Sequence, residues 1–130
     1  NKILAGKLET RNSLIKKVSE LTLTRKRQLI LILLNENTEN KDDDYLVVRF
    51  EDIIKNKELA YELEMLIARS TEDVSLVATI KSAIQKNILK RTKQGIFYFE
   101  TNLGFSEEDV LKTLSSDENQ EVLINIKSKI

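Results

Sequence analysis

Apolar residues between positions 77 and 88 recur at intervals of three and four, and the spacing then stops. They are Val77, Ile80, Ala83, Ile84 and Ile88. This interval is typical of one buried face of an α-helix. Two β-prone runs follow at 87–92 and 96–101, joined by Lys93-Gln94-Gly95, and a glycine at the last loop position suits a three-residue hairpin with a bulge. The chain therefore predicts a helix followed directly by a β-hairpin.

Capping sequences mark where this helix and two later helices begin. Ser70 and Asp73 have the spacing of a capping box, in which each side chain satisfies a backbone amide at a helix start. The helix before the hairpin is therefore expected to begin at residue 71. The segment 106–109 repeats the pattern ahead of an apolar run, and Ser116 or Asp117 is expected to cap a last helix. Two helices are thus predicted after the hairpin.

The N-terminal half of the chain predicts helices on both sides of a short strand. Helical spacing relates four apolar residues, which are Leu14, Ile15, Val18 and Leu21. A second helix is indicated by the apolar run 29–34, and the polar, acidic segment 35–44 is typical of a loop. Residues 45–50 have the β-branched and aromatic enrichment of a strand. A further helix is predicted from Glu51 to near Ser70.

The predicted order of elements is helix, strand, helix, helix and hairpin, followed by two helices. This is the order of a winged helix, in which the third core helix enters the major groove of DNA beside the hairpin, or wing. The chain has no proline and three glycines, so no linker is expected to divide it. We therefore expect a single α+β domain over 1–130, with a winged helix-turn-helix core over about 12–102 and a C-terminal helical extension over about 105–130.

Cationic side chains are concentrated between residues 74 and 99, a segment with five lysines and arginines and no Asp or Glu. We call this segment the basic island. The whole chain balances 21 cationic against 21 anionic side chains, so the island is not a consequence of general basicity. Such an island favours a phosphate-backbone partner. The predicted DNA-binding residues are Thr79, Lys81, Ser82, Gln85, Lys86, Lys90, Arg91 and Lys93.

The members of this set on the helix and those on the wing are expected to contact different parts of the DNA. On the helix, the hydroxyl and amide side chains and Lys86 would face the groove, where Gln85 could read an adenine edge. On the wing, Lys90, Arg91 and Lys93 would contact the phosphate backbone and make binding depend on salt. The basic triplet 25–27 would add to this surface only if its helix lies on the same face. For all of these residues, the alternative is that they form only a solvated surface and do not bind DNA.

A protein-interaction or assembly module, in a virion or a multi-subunit complex, is the alternative function. Its motivation is that charge is partitioned along the chain, with sums of +6 over 1–30, −7 over 31–73, +5 over 74–99 and −4 over 100–130. Faces of opposite charge could drive association between copies or with a partner protein. A homodimer is therefore also an open expectation.

The absence of histidine and cysteine argues against an enzyme, because it removes the usual general base, the usual zinc ligand and all thiolate chemistry. The acidic segment between Glu36 and Asp44 matches no calcium loop, so a solvated loop is favoured over a metal site. We assign no catalytic residue, no metal and no cofactor. No apolar run approaches the ~18 residues of a membrane span, and we expect a cytoplasmic protein with no membrane partner.

Three consecutive aromatic residues follow the hairpin turn. Side chains alternate along a strand, so Phe97 and Phe99 are expected to share one face and Tyr98 to occupy the other. The two phenylalanines are most simply core residues. Tyr98 is then the one candidate for stacking on a base.

The N-terminal motifs resemble a known family. Asn12-Ser13-Leu14-Ile15, followed by Leu21-Thr22-Leu23 and Arg27, is similar to the start of the first winged-helix domain of iteron-binding plasmid replication initiator proteins. In that resemblance, 28–34 is the apolar helix and 46–50 is the short strand. Such domains bind repeated origin DNA or dimerise. Together with the basic island, the resemblance implies a DNA-binding module of a plasmid or phage replication or transcription protein, with double-stranded DNA as its partner.

Overall fold

The computed structural model describes the backbone of residues 2–130 and the side chains of residues 11–130. This part of the chain forms seven α-helices and one three-stranded antiparallel sheet. The helices are α1 (Lys2–Ser19), α2 (Leu23–Leu34), α3 (Asp43–Lys55), α4 (Lys57–Ala68), α5 (Thr71–Gln85), α6 (Glu107–Ser115) and α7 (Gln120–Lys129). The strands are β1 (Lys90–Thr92), β2 (Gly95–Tyr98) and β3 (Thr101–Gly104). The predicted α+β class is confirmed.

The chain divides into two compact units, one ending at Val74 and the other comprising Ser75–Ile130. We call them unit 1 and unit 2. Each has its own cluster of buried apolar side chains. The division lies within α5, well before the boundary expected between the winged-helix core and the C-terminal extension. Whether the two units fold as one domain stays a prediction.

The strand predicted at 45–50 is wrong, because these residues lie in α3 of unit 1. Asp42 caps the helix, its Oδ1 accepting a hydrogen bond from the backbone N–H of Tyr45 at 2.9 Å. Leu46, Phe50 and Ile53 are buried at intervals of four and three, so a helix sends all three side chains into one core. The cap and this burial outweigh the β-propensity of the segment. The strand that the winged-helix order requires here is therefore absent.

The long helix predicted from residue 51 to residue 70 is two helices that meet at Asn56. This residue ends α3 and caps α4, its Oδ1 accepting hydrogen bonds from the N–H groups of Glu58 and Leu59 at 3.1 and 3.2 Å. Asparagine favours such positions because its short side chain competes for backbone amides. The buried positions of α3 and α4 line the same core of unit 1.

Unit 2 contains α5 from Ser75 onward, the sheet, α6 and α7. Helices begin at both predicted capping sequences, and the serine of each makes its expected bond: Ser70 Oγ accepts from Asp73 N–H at 3.1 Å, and Ser106 Oγ accepts from Asp109 N–H at 3.2 Å. The predicted apolar face of α5 packs on the core of unit 2, with Ile80 fully buried. The helix and the hairpin that follows it are thus confirmed.

The hairpin turn is one residue shorter than predicted. Thr92 pairs with Gly95, so Lys93 and Gln94 alone form the turn and Gly95 belongs to β2. Gly95 has φ +143°, and a Cβ there would lie 2.7 Å from Asn102 Oδ1, so glycine is required. Asn102 lies on β3, a strand that the sequence did not predict, and its amide donates to Gln94 O at 3.1 Å. Strand β3 thereby supports the turn as well as the sheet.

The last helix begins at Gln120, and neither Ser116 nor Asp117 caps it as predicted. A 3-10 turn at Asp117–Asn119 intervenes, and the Ser116 side chain makes no capping bond there. The side-chain amides of Asn119 and Gln120 instead donate to the carbonyls of Thr113 and Leu114 at the end of α6, at 3.1 and 3.2 Å. The turn therefore serves mainly to close the preceding helix.

Candidate nucleic-acid interface

The predicted groove-facing residues of α5 are only partly exposed. Thr79 and Ser82 are half-buried, and Thr79 Oγ1 donates to the carbonyl of Ser75 at 2.9 Å. This hydroxyl is therefore used within its own helix. Gln85 and Lys86 are exposed at the end of α5. Of the four residues expected to face the groove, Gln85 and Lys86 are therefore well exposed and the two hydroxyl residues are only partly accessible.

Glu107 brings an acid to the basic island, although the island itself contains none. This residue starts α6, and its Oε2 lies 3.1 Å from Lys81 Nζ. Its Oε1 lies 3.6 Å from Arg91 Nη2. Glu107 is half-buried, so solvent screens its attraction to these two cations less than it would at a fully exposed site. Two of the predicted DNA-binding cations are therefore partly neutralised inside unit 2.

Three cations of the island remain exposed without a carboxylate partner. Within residues 11–130, no ion pair involves Lys86, Lys90 or Lys93. They lie at the end of α5, at the start of β1 and in the β1–β2 turn, respectively. An exposed ammonium with no internal partner is free to bind a phosphate oxygen. We call these three residues the free lysines.

The expected burial of Phe99 and exposure of Tyr98 are exchanged in the structure. Phe99 is 74% exposed, whereas Tyr98 is half-buried against the core of unit 2. The cause is that β2 ends at Tyr98, so Phe99 belongs to the next turn and the strand alternation no longer applies to it. The expectation that Phe99 is a core residue is wrong. Phe97 is half-buried opposite Lys90 on β1.

Tyr98, Phe99 and Lys129 form one aromatic and cationic group. The two rings meet edge to face, with centroids 4.7 Å apart and planes at 60°. Lys129 Nζ lies 4.2 Å from the Phe99 ring centroid and 5.0 Å from that of Tyr98. Both distances are within the range of a cation–π interaction. The ring system therefore holds a lysine from the end of α7 beside the sheet.

A pocket of about 320 Å³ opens beside this group. It is lined by Asn87, Ile88, Lys90, Tyr98, Phe99 and Lys129. Lys90 was predicted as a site residue, whereas Phe99 and Lys129 were missed. No sequence pattern marked Phe99, because its exposure depends on the turn that follows Tyr98. Nothing in the sequence pattern pointed to Lys129, because it is 30 positions away and its proximity depends on the packing of α7.

The first basic segment is used within unit 1. Arg25 donates to the carbonyls of Ile67 and Arg69 at 3.2 Å each, at the end of α4. Lys26 pairs with Asp43 at 3.1 Å, and Arg27 donates to the carbonyl of Lys41 at 2.9 Å. These cations therefore stabilise the packing of α2 against its neighbours.

The acidic segment is also engaged in unit 1. Tyr45 Oη donates to Glu36 Oε2 at 3.0 Å, and this hydrogen bond raises the pKa of Tyr45. Arg49 Nε lies 3.1 Å from the other oxygen of the same carboxylate. Within residues 11–130, no group of three or more Asp and Glu side chains is close enough to hold a metal ion.

A second pocket, of about 290 Å³, lies in unit 1 between α1, α2 and α3. Ile15, Val47 and Ile54 contribute apolar surface to it, and Lys26 and Asp43 form part of its rim. It contains none of the predicted site residues.

The comparisons with known proteins identify no relative, so the proposed function depends on the residues of this chain alone. No family model, no curated protein and no solved structure matches this chain. Within the described residues, none of the helices combines the length and the apolar character needed to cross a membrane.

Proposed function

We propose that this chain is a DNA-binding module of a replication or transcription protein, with its contact surface at the end of α5 and on the β1–β2 hairpin. The observation that carries the proposal is the set of free lysines, Lys86, Lys90 and Lys93, exposed on consecutive elements of unit 2 with no carboxylate partner within the described residues. Surface lysines normally neighbour acids in a chain of balanced charge. Their isolation here suits a phosphate backbone.

The finer part of the proposal is that α5 and the hairpin act together as the helix and wing of a winged helix. The order of α3, α4, α5, β1 and β2 supplies three helices followed by a hairpin, which supports this arrangement, while the strand expected at 45–50 is part of α3. Gln85 and Lys86 end the helix and Lys93 occupies the wing tip. The resemblance of residues 12–27 to plasmid replication initiators points to origin DNA as the partner.

The test is equilibrium binding of the chain to random duplex DNA and to single-stranded DNA across a salt series. The proposal predicts that the logarithm of the affinity falls linearly with the logarithm of the salt concentration, because each neutralised phosphate releases counterions. Affinity that is absent at low salt would overturn the proposal.

Self-association that depends on salt, without DNA binding, would select the assembly module instead. The charge partition that motivated this alternative does not persist within the units. Unit 2 contains 8 cationic and 7 anionic side chains, and the rest of the chain contains 13 and 14. Attraction between oppositely charged units is therefore not expected to dominate, and DNA remains the favoured partner.

A further inference from the structure

Phe99 occupies a backbone position that does not suit phenylalanine. Tyr98 pairs with Thr101, so Phe99 and Glu100 form the two-residue turn between β2 and β3. The φ angle of Phe99 is +54°, in the left-handed region. The first position of such a turn favours glycine, asparagine or aspartate when φ is positive, and a bulky side chain there is strained.

The fold gains little packing from the Phe99 ring in return. The side chain is 74% exposed, and its ring contacts are those with Tyr98 and Lys129. Asn87, which also lines the pocket, has φ +61°, but it follows the end of α5, where asparagine adopts this conformation readily. Phe99 therefore departs from two usual preferences: bulky residues rarely adopt a positive φ, and large apolar side chains are usually buried. Positions that do so are expected to be functional.

The surroundings of Phe99 fit one chemistry, that of a nucleotide with an unpaired base. A flat, exposed ring can stack on any nucleobase, whatever its sequence. Lys129 Nζ lies over one face of the Phe99 ring, 4.2 Å from its centroid, and Lys90 lines the same pocket, so a base stacked on the opposite face would have two cationic residues nearby. A phosphate on either side of that base would meet a cation. A base inside a duplex is covered on both faces and cannot stack in this way.

We propose that Phe99 is a stacking platform for an unpaired base of DNA, with Lys90 and Lys129 binding the adjacent phosphates. This inference rests on the proposed DNA binding and deepens it. The free lysines contact the backbone of single-stranded and duplex DNA alike, whereas Phe99 contributes only where a base is unpaired. The surface is therefore selective for melted or single-stranded DNA.

The experiment compares fluorescence anisotropy of a labelled oligo-dT and of a labelled duplex with the wild-type chain, Phe99→Gly and Phe105→Ala. Glycine accepts the positive φ, so Phe99→Gly is expected to fold at least as stably as the wild type. We expect it to lose on the order of tenfold in affinity for oligo-dT and to bind the duplex unchanged. Phe105 is the matched control, because it is 73% exposed in the same unit and does not line the pocket.

A Phe99→Trp variant supplies a direct readout of stacking. The chain has no other tryptophan, so quenching of its emission by oligo-dT, with retained affinity, would support the platform. Oligo-dT binding by Phe99→Gly at wild-type affinity would overturn the inference and leave the proposed function standing. A loss of oligo-dT affinity in Phe105→Ala as large as that in Phe99→Gly would also overturn it. If the wild-type chain binds neither DNA, the proposed function fails and the inference fails with it.

Discussion

At the scale of single residues, short-range contacts start helices, and longer-range contacts set the charge around the basic island. Ser70 and Ser106 cap helices as their spacing indicates, because a cap depends on residues only three positions apart. The neutralisation of Lys81 and Arg91 by Glu107 depends on contacts across 26 and 16 positions. A charge count along the chain does not include such contacts. The basic island therefore has fewer unpaired cations in the structure than its sequence suggests.

Replacing Glu107 by Gln tests how this carboxylate limits the island. The substitution removes one negative charge beside Lys81 and Arg91, so affinity for duplex DNA at low salt should rise severalfold. The free energy of unfolding should fall by about 0.5–1 kcal/mol, because a helix start loses a favourable charge and two partners. Anisotropy and urea unfolding measure the two effects. Asp109→Asn, which removes an exposed carboxylate from the same first turn of α6, is the control. Unchanged DNA affinity in Glu107→Gln would contradict the assigned role.

At the scale of elements, a helix or strand was predicted correctly where the pattern that specifies it lies within its own residues. The apolar period of α5 and the paired runs of the hairpin are local, and both elements formed. Strand β3 was missed because Thr101-Asn102-Leu103-Gly104 carries one large apolar residue and is stabilised by its partner strand and by the Asn102 side chain. The strand predicted at 45–50 is wrong because the β-propensity of this segment conflicts with the helical spacing of its buried residues.

The helical state of residues 43–55 gives a stability prediction at this scale. Asp42→Ala removes the side chain that caps α3 and should lower the free energy of unfolding by about 1 kcal/mol. Asp44→Ala is the matched control, because it removes an exposed acid from the same first turn without removing the cap. Its effect should be clearly smaller, about 0.3–0.5 kcal/mol. Equal effects in urea unfolding would argue against the cap.

At the scale of the whole molecule, the chain divides within α5 into two compact units. The candidate site lies entirely in unit 2, and its pocket combines residues from the end of α5, the sheet and α7. The sequence indicated Lys86, Lys90 and Lys93, because they are close together in the chain. It could not indicate Phe99 and Lys129 as pocket residues, because their placement depends on a turn conformation and on the packing of α7.

The central claim is that the free lysines bind DNA phosphates, and charge-matched substitution tests it most directly. The variant Lys86→Ala/Lys90→Ala/Lys93→Ala is compared with Lys17→Ala/Lys55→Ala/Lys57→Ala, which removes three exposed lysines from unit 1. Duplex affinity is measured across a salt series. The first variant should bind at least about tenfold more weakly at low salt and lose about one from the salt slope per phosphate contact removed. The second should bind like the wild type. Equal losses in the two variants, or no loss in the first, would contradict the claim.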